Sequence, residues 1–280
     1  MWIDAHQHFW SYSQAGYPWI RSEPLARDYL PGELEPQVLA AGFQGTVLVQ
    51  AQSRFEENVW LLGLLEAHPF IKGVVGWVDL ERAGAQVQLE ELAAQPGFCG
   101  VRYPMGVVDV RGRQFSPAFL KGLQAVSDLG LVYELLLSPP QLPLATALVR
   151  KFPKQRFVLD HIGNPDVRGS KLEPWAPDLR ELAAQPNVYC KLSGMVTRAD
   201  HAHWTPDDFR PFLDVVFEAF GPERLMIGSD WPVCRQAGEY GPVMEIVKGY
   251  LASSPSRVRE AILGENAARI YNLPVQRSRT

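Results

Sequence analysis

The sequence predicts an α/β protein: a (β/α)8 TIM barrel, one domain over residues 1–280. Three observations carry that expectation. The first is length: such a barrel takes about 250 residues, and the chain has 280. The second is a repeating unit of a short apolar run, a polar loop and an amphipathic stretch. The third is what is missing. No GxGxxG turn follows the first strand and no P-loop occurs anywhere, so an open nucleotide-binding sheet lacks its signature.

The strand candidates follow in chain order: WIDAH (2–6), GTVLVQ (45–50), KGVVGWVD (72–79), CGVRY (99–103), LVYELLL (131–137), RFVLDHIG (156–163), NVYCKLSG (187–194) and RLMIGSDWP (224–232). Helical spacing lies between them. ENVWLLGLLEAH (57–68) repeats its apolar residues at that spacing. SPAFLKGLQAVSDLG (116–130) opens on Ser-Pro and closes on Gly, a start and a stop signal, and DDFRPFLDVVFEAFG (207–221) also closes on Gly. Strands that alternate with helices form a parallel sheet, and eight of them close a barrel.

Composition narrows the function. The net charge of -4 gives no reason to expect nucleic acid or an anionic membrane as partner. No run approaches the roughly 18 apolar residues of a membrane span, and the start shows no signal-peptide pattern. Cys99, Cys190 and Cys234 lie far apart without a CxxC pair, which suits free thiols in a cytoplasmic protein. Oligomeric state is not written in any of these features.

The chemistry begins at MWIDAHQHFW. Residues two apart share a strand face, so Asp4, His6 and His8 are expected on one side and Gln7 on the other. His6 and His8 close the strand at its C-terminal end, where barrel active sites are built, and paired imidazoles there suit a divalent metal. His161 ends another strand, with Asp160 expected to face away. Asp230 ends the last, and Gly228 leaves room beneath it. Glu134 and Lys191 interrupt apolar strands; a charge there must be paired or ligating, and the two together make a plausible ion pair.

Around these, Trp19, Arg27, Gln52, Arg54, Arg102, Tyr103 and Trp231 are candidates for substrate binding, on loops that follow strands. Gln50 and Gln52 are expected to point together, as neutral donors and acceptors for a hydroxyl-rich ligand. Loop packing is the alternative for each. His201 and His203 repeat the HxH spacing in a loop at the pocket rim, and His68 is expected at a helix C-terminus. Ser193-Gly194 is no nucleophile elbow, because GxSxG is absent.

His6-Gln7-His8, DHIGNP around His161 and GSDWP around Asp230 together resemble the amidohydrolase superfamily. DAHQHFW, VYCKLSG and GENAARIYNL resemble its amidohydrolase 2 group, which includes L-fucono- and L-rhamnono-lactonases; the likeness runs from residue 2 to about residue 273. The resemblance implies a TIM barrel, hydrolysis of a small sugar-acid lactone, and His6, His8, His161 and Asp230 in the active site. It suggests one divalent ion, zinc, on His6, His8, Asp230 and Glu134. Lys191 stands where a histidine would favour a second metal. Some lactonases of the group work without metal; His6 and His8 would then donate hydrogen bonds to the carbonyl.

In the expected mechanism Asp230 takes a proton from the attacking water. His161 steadies the oxyanion or protonates the leaving oxygen, and Lys191 or Arg102 stabilises the tetrahedral intermediate. Two other readings stay open: a metal-dependent decarboxylase of the same superfamily, and a non-catalytic sugar-acid binder.

Overall fold

The computed structural model describes residues 1–21 and 23–274; Ser22 and residues 275–280, which the one-domain expectation includes, lie outside the described residues. Within them a single sheet of eight parallel strands runs in chain order: β1 (Ile3–Gln7), β2 (Gly45–Val49), β3 (Ile71–Gly76), β4 (Phe98–Arg102), β5 (Val132–Leu135), β6 (Phe157–Leu159), β7 (Val188–Leu192) and β8 (Leu225–Ile227). The ends of β1 and β8 meet and close it. His8 N donates to Trp231 O at 2.7 Å, Asp230 N donates to His6 O at 2.8 Å, and Gln7 bridges to Trp231.

A helix follows each strand: α1 (Pro31–Ala40), α2 (Glu57–Ala67), α3 (Ala85–Ala93), α4 (Pro117–Asp128), α5 (Leu142–Lys151), α6 (Trp175–Ala183), α7 (Pro206–Phe220) and α8 (Tyr240–Tyr250). The start and stop signals work as expected. Ser116 caps α4 by accepting from Phe119 N, and Gly130, at φ 68°, lets the chain leave the helix. His68 ends α2 as its C-cap. Among the described residues no helix is long and apolar enough to cross a membrane.

Two cores follow from strand alternation. Leu48, Tyr133, Leu135, Phe157, Leu159, Cys190, Leu192 and Ile227 pack outward against the helices. Val47, Val49, Val132, Val158 and Met226 fill the interior, with Ile270, Tyr271 and Leu273 of the C-terminal segment packed against them. Those C-terminal residues close the floor of the barrel. The site is therefore left to the opposite end.

Three local features depart from the pattern read in the sequence. The strands end earlier than the apolar runs suggest, because the chain turns at the mouth; β6 stops at Leu159 and Asp160–Gly163 form a tight turn. A small antiparallel hairpin, Val107–Asp109 with Gln114–Phe115, lies beyond β4, its arms too short to leave a periodic signal. Asp4 does not share the face of His6 and His8. The β1–β2 register slips between Asp4 and Gln7, and Asp4 instead accepts from His6 N and Ser229 N, beside Tyr240 of α8.

Candidate active site

Closure of the barrel brings residues from both ends of the sheet to one point. His6 Nε2 stands 3.1 Å from His8 Nε2 and 3.7 Å from Asp230 Oδ1. His8 Nε2 is 3.4 Å and His161 Nε2 4.0 Å from that same oxygen. All four side chains are buried at the mouth.

Two of them depend on backbone that few residues adopt. His161 at φ 53° and Asp230 at φ 58° lie in the left-handed region, so each side chain swings inward where the strand has ended. Two glycines make the space. A Cβ on Gly194, itself at φ 63°, would lie 2.5 Å from His161 Nδ1, and one on Gly228 would lie 2.9 Å from His6 Cβ.

Hydrogen bonds orient the rings. His8 Nδ1 lies 2.8 Å from the Val49 carbonyl, which can only accept; the ring proton is therefore on Nδ1 and Nε2 presents its lone pair. Asp160 Oδ1, 3.3 Å from His6 Nδ1, can accept that ring's proton and leave its Nε2 bare as well. Ser193 Oγ holds His161 Nδ1 at 2.9 Å. Burial, then Lys191, push His6 well below its usual range, and burial lowers His161, so both rings are neutral at pH 7.

Two bare imidazole nitrogens 3.1 Å apart repel unless something positive lies between them. Their spacing suits a metal: donors on a tetrahedral zinc stand about 3.3 Å apart, given bonds of about 2.0–2.1 Å. The spacings among His6, His8 and Asp230 bracket that value. His6, His161 and Asp230 also offer ligand atoms that all lie within 4.8 Å of one another. Charge agrees. Asp230 has only imidazoles as ion-pair partners among the described residues, so a cation at the mouth would meet a carboxylate that no lysine or arginine already pairs. The residues fit one divalent ion.

Glu134 and Lys191, expected at the site, lie a layer below it. Lys191 Nζ is 2.6 Å from Glu134 Oε1 and 3.2 Å from Asp160 Oδ1, with all three side chains fully buried. Burial raises the Glu134 carboxyl to about 7. Burial also acts to raise Asp160, but Lys191, His6 and Arg102 outweigh it and hold that carboxyl well below its usual range. Asp160 is the member the sequence hid. Arg102 ties the layers together, donating to Asp160 Oδ2 at 3.2 Å and Gln50 O at 2.7 Å, with Nη1 3.5 Å from His6 Nε2.

Above the cluster opens a cavity of about 420 Å³. Trp19, Gln50, Arg102, Leu136, Asn164 and Arg198 line it with the site residues. Trp19 is set by its Nε1–H, which donates to Ala51 O at 2.9 Å. Leu136, Asn164 and Arg198 carried no signal in the sequence, because nothing in a loop's composition says that it folds over the mouth. His201 lines an adjoining cavity of about 610 Å³ that shares Asn164, Thr197 and Arg198, whereas His203 pairs with Asp200.

Five other candidates for substrate binding lie elsewhere. Arg27 pairs with Glu33 and stacks on Tyr29. Arg54 is exposed beside Glu56. The Tyr103 hydroxyl donates to Asp79 and Glu81. Trp231 is fully buried between Phe9 and Tyr29, since the turn that aims Asp230 inward sends the next ring outward. Gln52 braces Tyr17 of the first loop, whereas Gln50 reaches the cavity.

Comparison with known proteins gives a consistent picture. The chain is 40% identical, over 97% of its length and 96% of the relative's, to an L-fucono-1,5-lactonase of Burkholderia multivorans. It is 39% identical, over 85% and 83%, to an L-fucono-1,5-lactonase of Burkholderia ambifaria. The crystal structure of an amidohydrolase from Burkholderia multivorans with bound zinc superposes with a TM-score of 0.91 at 38% identity, covering 98% of this chain and 100% of that one. The amidohydrolase family model matches residues 3–273, and the chain belongs to that family.

Proposed function

We infer that the protein is an enzyme that opens a small sugar-acid lactone with water, of the L-fucono- or L-rhamnono-lactone type. One observation carries this: three imidazoles and a carboxylate meet at one point beneath a cavity large enough for a single sugar ring. The relatives named as L-fucono-1,5-lactonases support the substrate class.

His6, His8 and Asp230 would hold one divalent ion, zinc by the nitrogen-rich donor set. When bound, such an ion supplies Lewis acidity and makes water more acidic. The chain's own residues do the rest. The second oxygen of Asp230 accepts the proton of the attacking water and later returns it to the ring oxygen as the C–O bond breaks. Arg102 lines the cavity beside His6 and stabilises the negative charge that develops on the carbonyl oxygen. His161, steadied by Ser193, donates to the same oxygen from the other side. Lys191 acts on these groups from below and does not reach the substrate. Trp19 covers one side of the bound ring.

The test is acid release from a panel of aldonolactones. L-fucono-1,5-lactone is expected to be hydrolysed, with activity lost to a chelator and restored by zinc. A folded protein that releases no acid from any lactone sinks the proposal. Release of CO₂ from unsaturated carboxylates instead would point to the decarboxylases of the superfamily.

A further inference from the structure

Beneath the mouth lies a second set of ligand atoms that shares His6. His6, Glu134 and Asp160 bring donor atoms within 4.8 Å of one another, fully buried. A lysine fills the space. Lys191 Nζ is 2.6 Å from Glu134 Oε1, 3.2 Å from Asp160 Oδ1 and 3.1 Å from His6 Nδ1. Two carboxylate oxygens thus face one cation, at hydrogen-bond and not metal–ligand distances, with the Nδ1 edge of His6 beside it.

The lysine is anchored from the floor of the barrel. The Tyr271 hydroxyl, fully buried, donates to the same Glu134 oxygen at 2.5 Å. Tyr271 follows the C-terminal helical segment and packs with Ile270 and Leu273 against the barrel interior. A continuous polar line therefore runs from the floor through Glu134 and Lys191 to His6. Nothing in the proposed lactone chemistry calls for it to reach the floor.

We propose that the Lys191 ammonium is a built-in cation that takes the place of a second metal ion, fixed by Tyr271 through Glu134. The site then takes one ion, and His6 is held with Nε2 at the mouth. Lys191 and Tyr271 are positioning residues. The inference rests on the reading that the mouth cluster binds a divalent ion, and its test separates the two.

The measurement is zinc stoichiometry of the purified full chain after loading with excess zinc and desalting. The wild type is expected to hold one zinc per chain. Lys191→Ser, which frees the Glu134–Asp160 pair, is expected to hold two. A wild type that holds none defeats the mouth reading itself. A wild type that holds two, or a folded Lys191→Ser that holds one, overturns the lysine's role and leaves the mouth reading standing. Should Lys191→Ser fail to fold, Tyr271→Phe decides. It is expected to bind zinc about tenfold more weakly in competition with a chelator, with kcat reduced and KM unchanged. A lower Tm with unaltered zinc affinity would mean that the line from the floor only holds the barrel together.

Discussion

The mouth and the layer beneath it hold the same kinds of side chain and use them differently. At the mouth, His6 Nε2, His8 Nε2 and Asp230 Oδ1 turn electron pairs toward one another, with the Arg102 guanidinium at one edge, 3.5 Å from His6 Nε2. One layer down, each carboxylate has a cation: Glu134 has Lys191, and Asp160 has Lys191 and Arg102. Buried charge that is paired holds a structure together; buried lone pairs left facing each other invite a ligand. What separates function from scaffold here is whether polar groups are complementary, more than how deeply they lie.

Mutations can break that contrast. Asp230→Asn should have the largest effect, lowering kcat for lactone hydrolysis by about 10²–10⁴-fold with little change in Tm. Near wild-type turnover would remove Asp230 from the chemistry. Lys191→Met keeps bulk and removes charge from the paired layer. It should cost about 3–5 kcal/mol of stability in urea unfolding, because it strands Glu134. A variant within about 1 kcal/mol of wild type would show that the lower layer is not held by its charges.

A third test concerns a carboxylate outside both layers. Glu57, in the first turn of α2, accepts from Ala51 N and Gln52 N just below the cavity rim. Burial raises its carboxyl from 4.5 to about 7, against those hydrogen bonds. The folded chain thus holds this proton more tightly than the unfolded chain does. Its contribution is fully present below pH 4.5 and is lost as pH rises to about 7. Glu57→Gln should therefore gain stability relative to wild type between pH 5 and pH 8, by up to about 3 kcal/mol. Parallel stability curves for the two proteins would contradict the assignment. The smallest effect is expected at Arg54→Ala, an exposed position away from the cavity lining: KM and kcat within about twofold of wild type. A tenfold rise in KM would return Arg54 to the site and redraw the boundary of the cavity.

The barrel was legible in the sequence because interior and exterior faces leave a regular apolar pattern, and turn chemistry marks the helix ends. His6 and His8 were legible because a spacing of two survives any small slip at the strand's start. Asp160 was not. Alternation aims it away from His161, and only the left-handed backbone at His161 and Ile162 lets both neighbours face inward. Glu134 and Lys191 were assigned the correct face but the wrong height, since periodicity reports direction and says nothing of depth along the axis. The arginines and aromatic residues of the loops were the hardest to place. Arg27, Tyr103 and Trp231 have the chemistry of a sugar site, yet partners that lie nearby after folding claim them first.

The seam between β1 and β8 has a consequence for how activity is acquired. Ser229 Oγ donates to His6 O across 223 positions of sequence, and Asp230 follows directly. While the chain is being made, the histidines emerge long before the carboxylate that completes their site. Contacts so distant in sequence form late, after the intervening units have stacked. On the proposed reading, a chain without its last strand lacks Asp230 at the mouth, and turnover would report that this strand has docked.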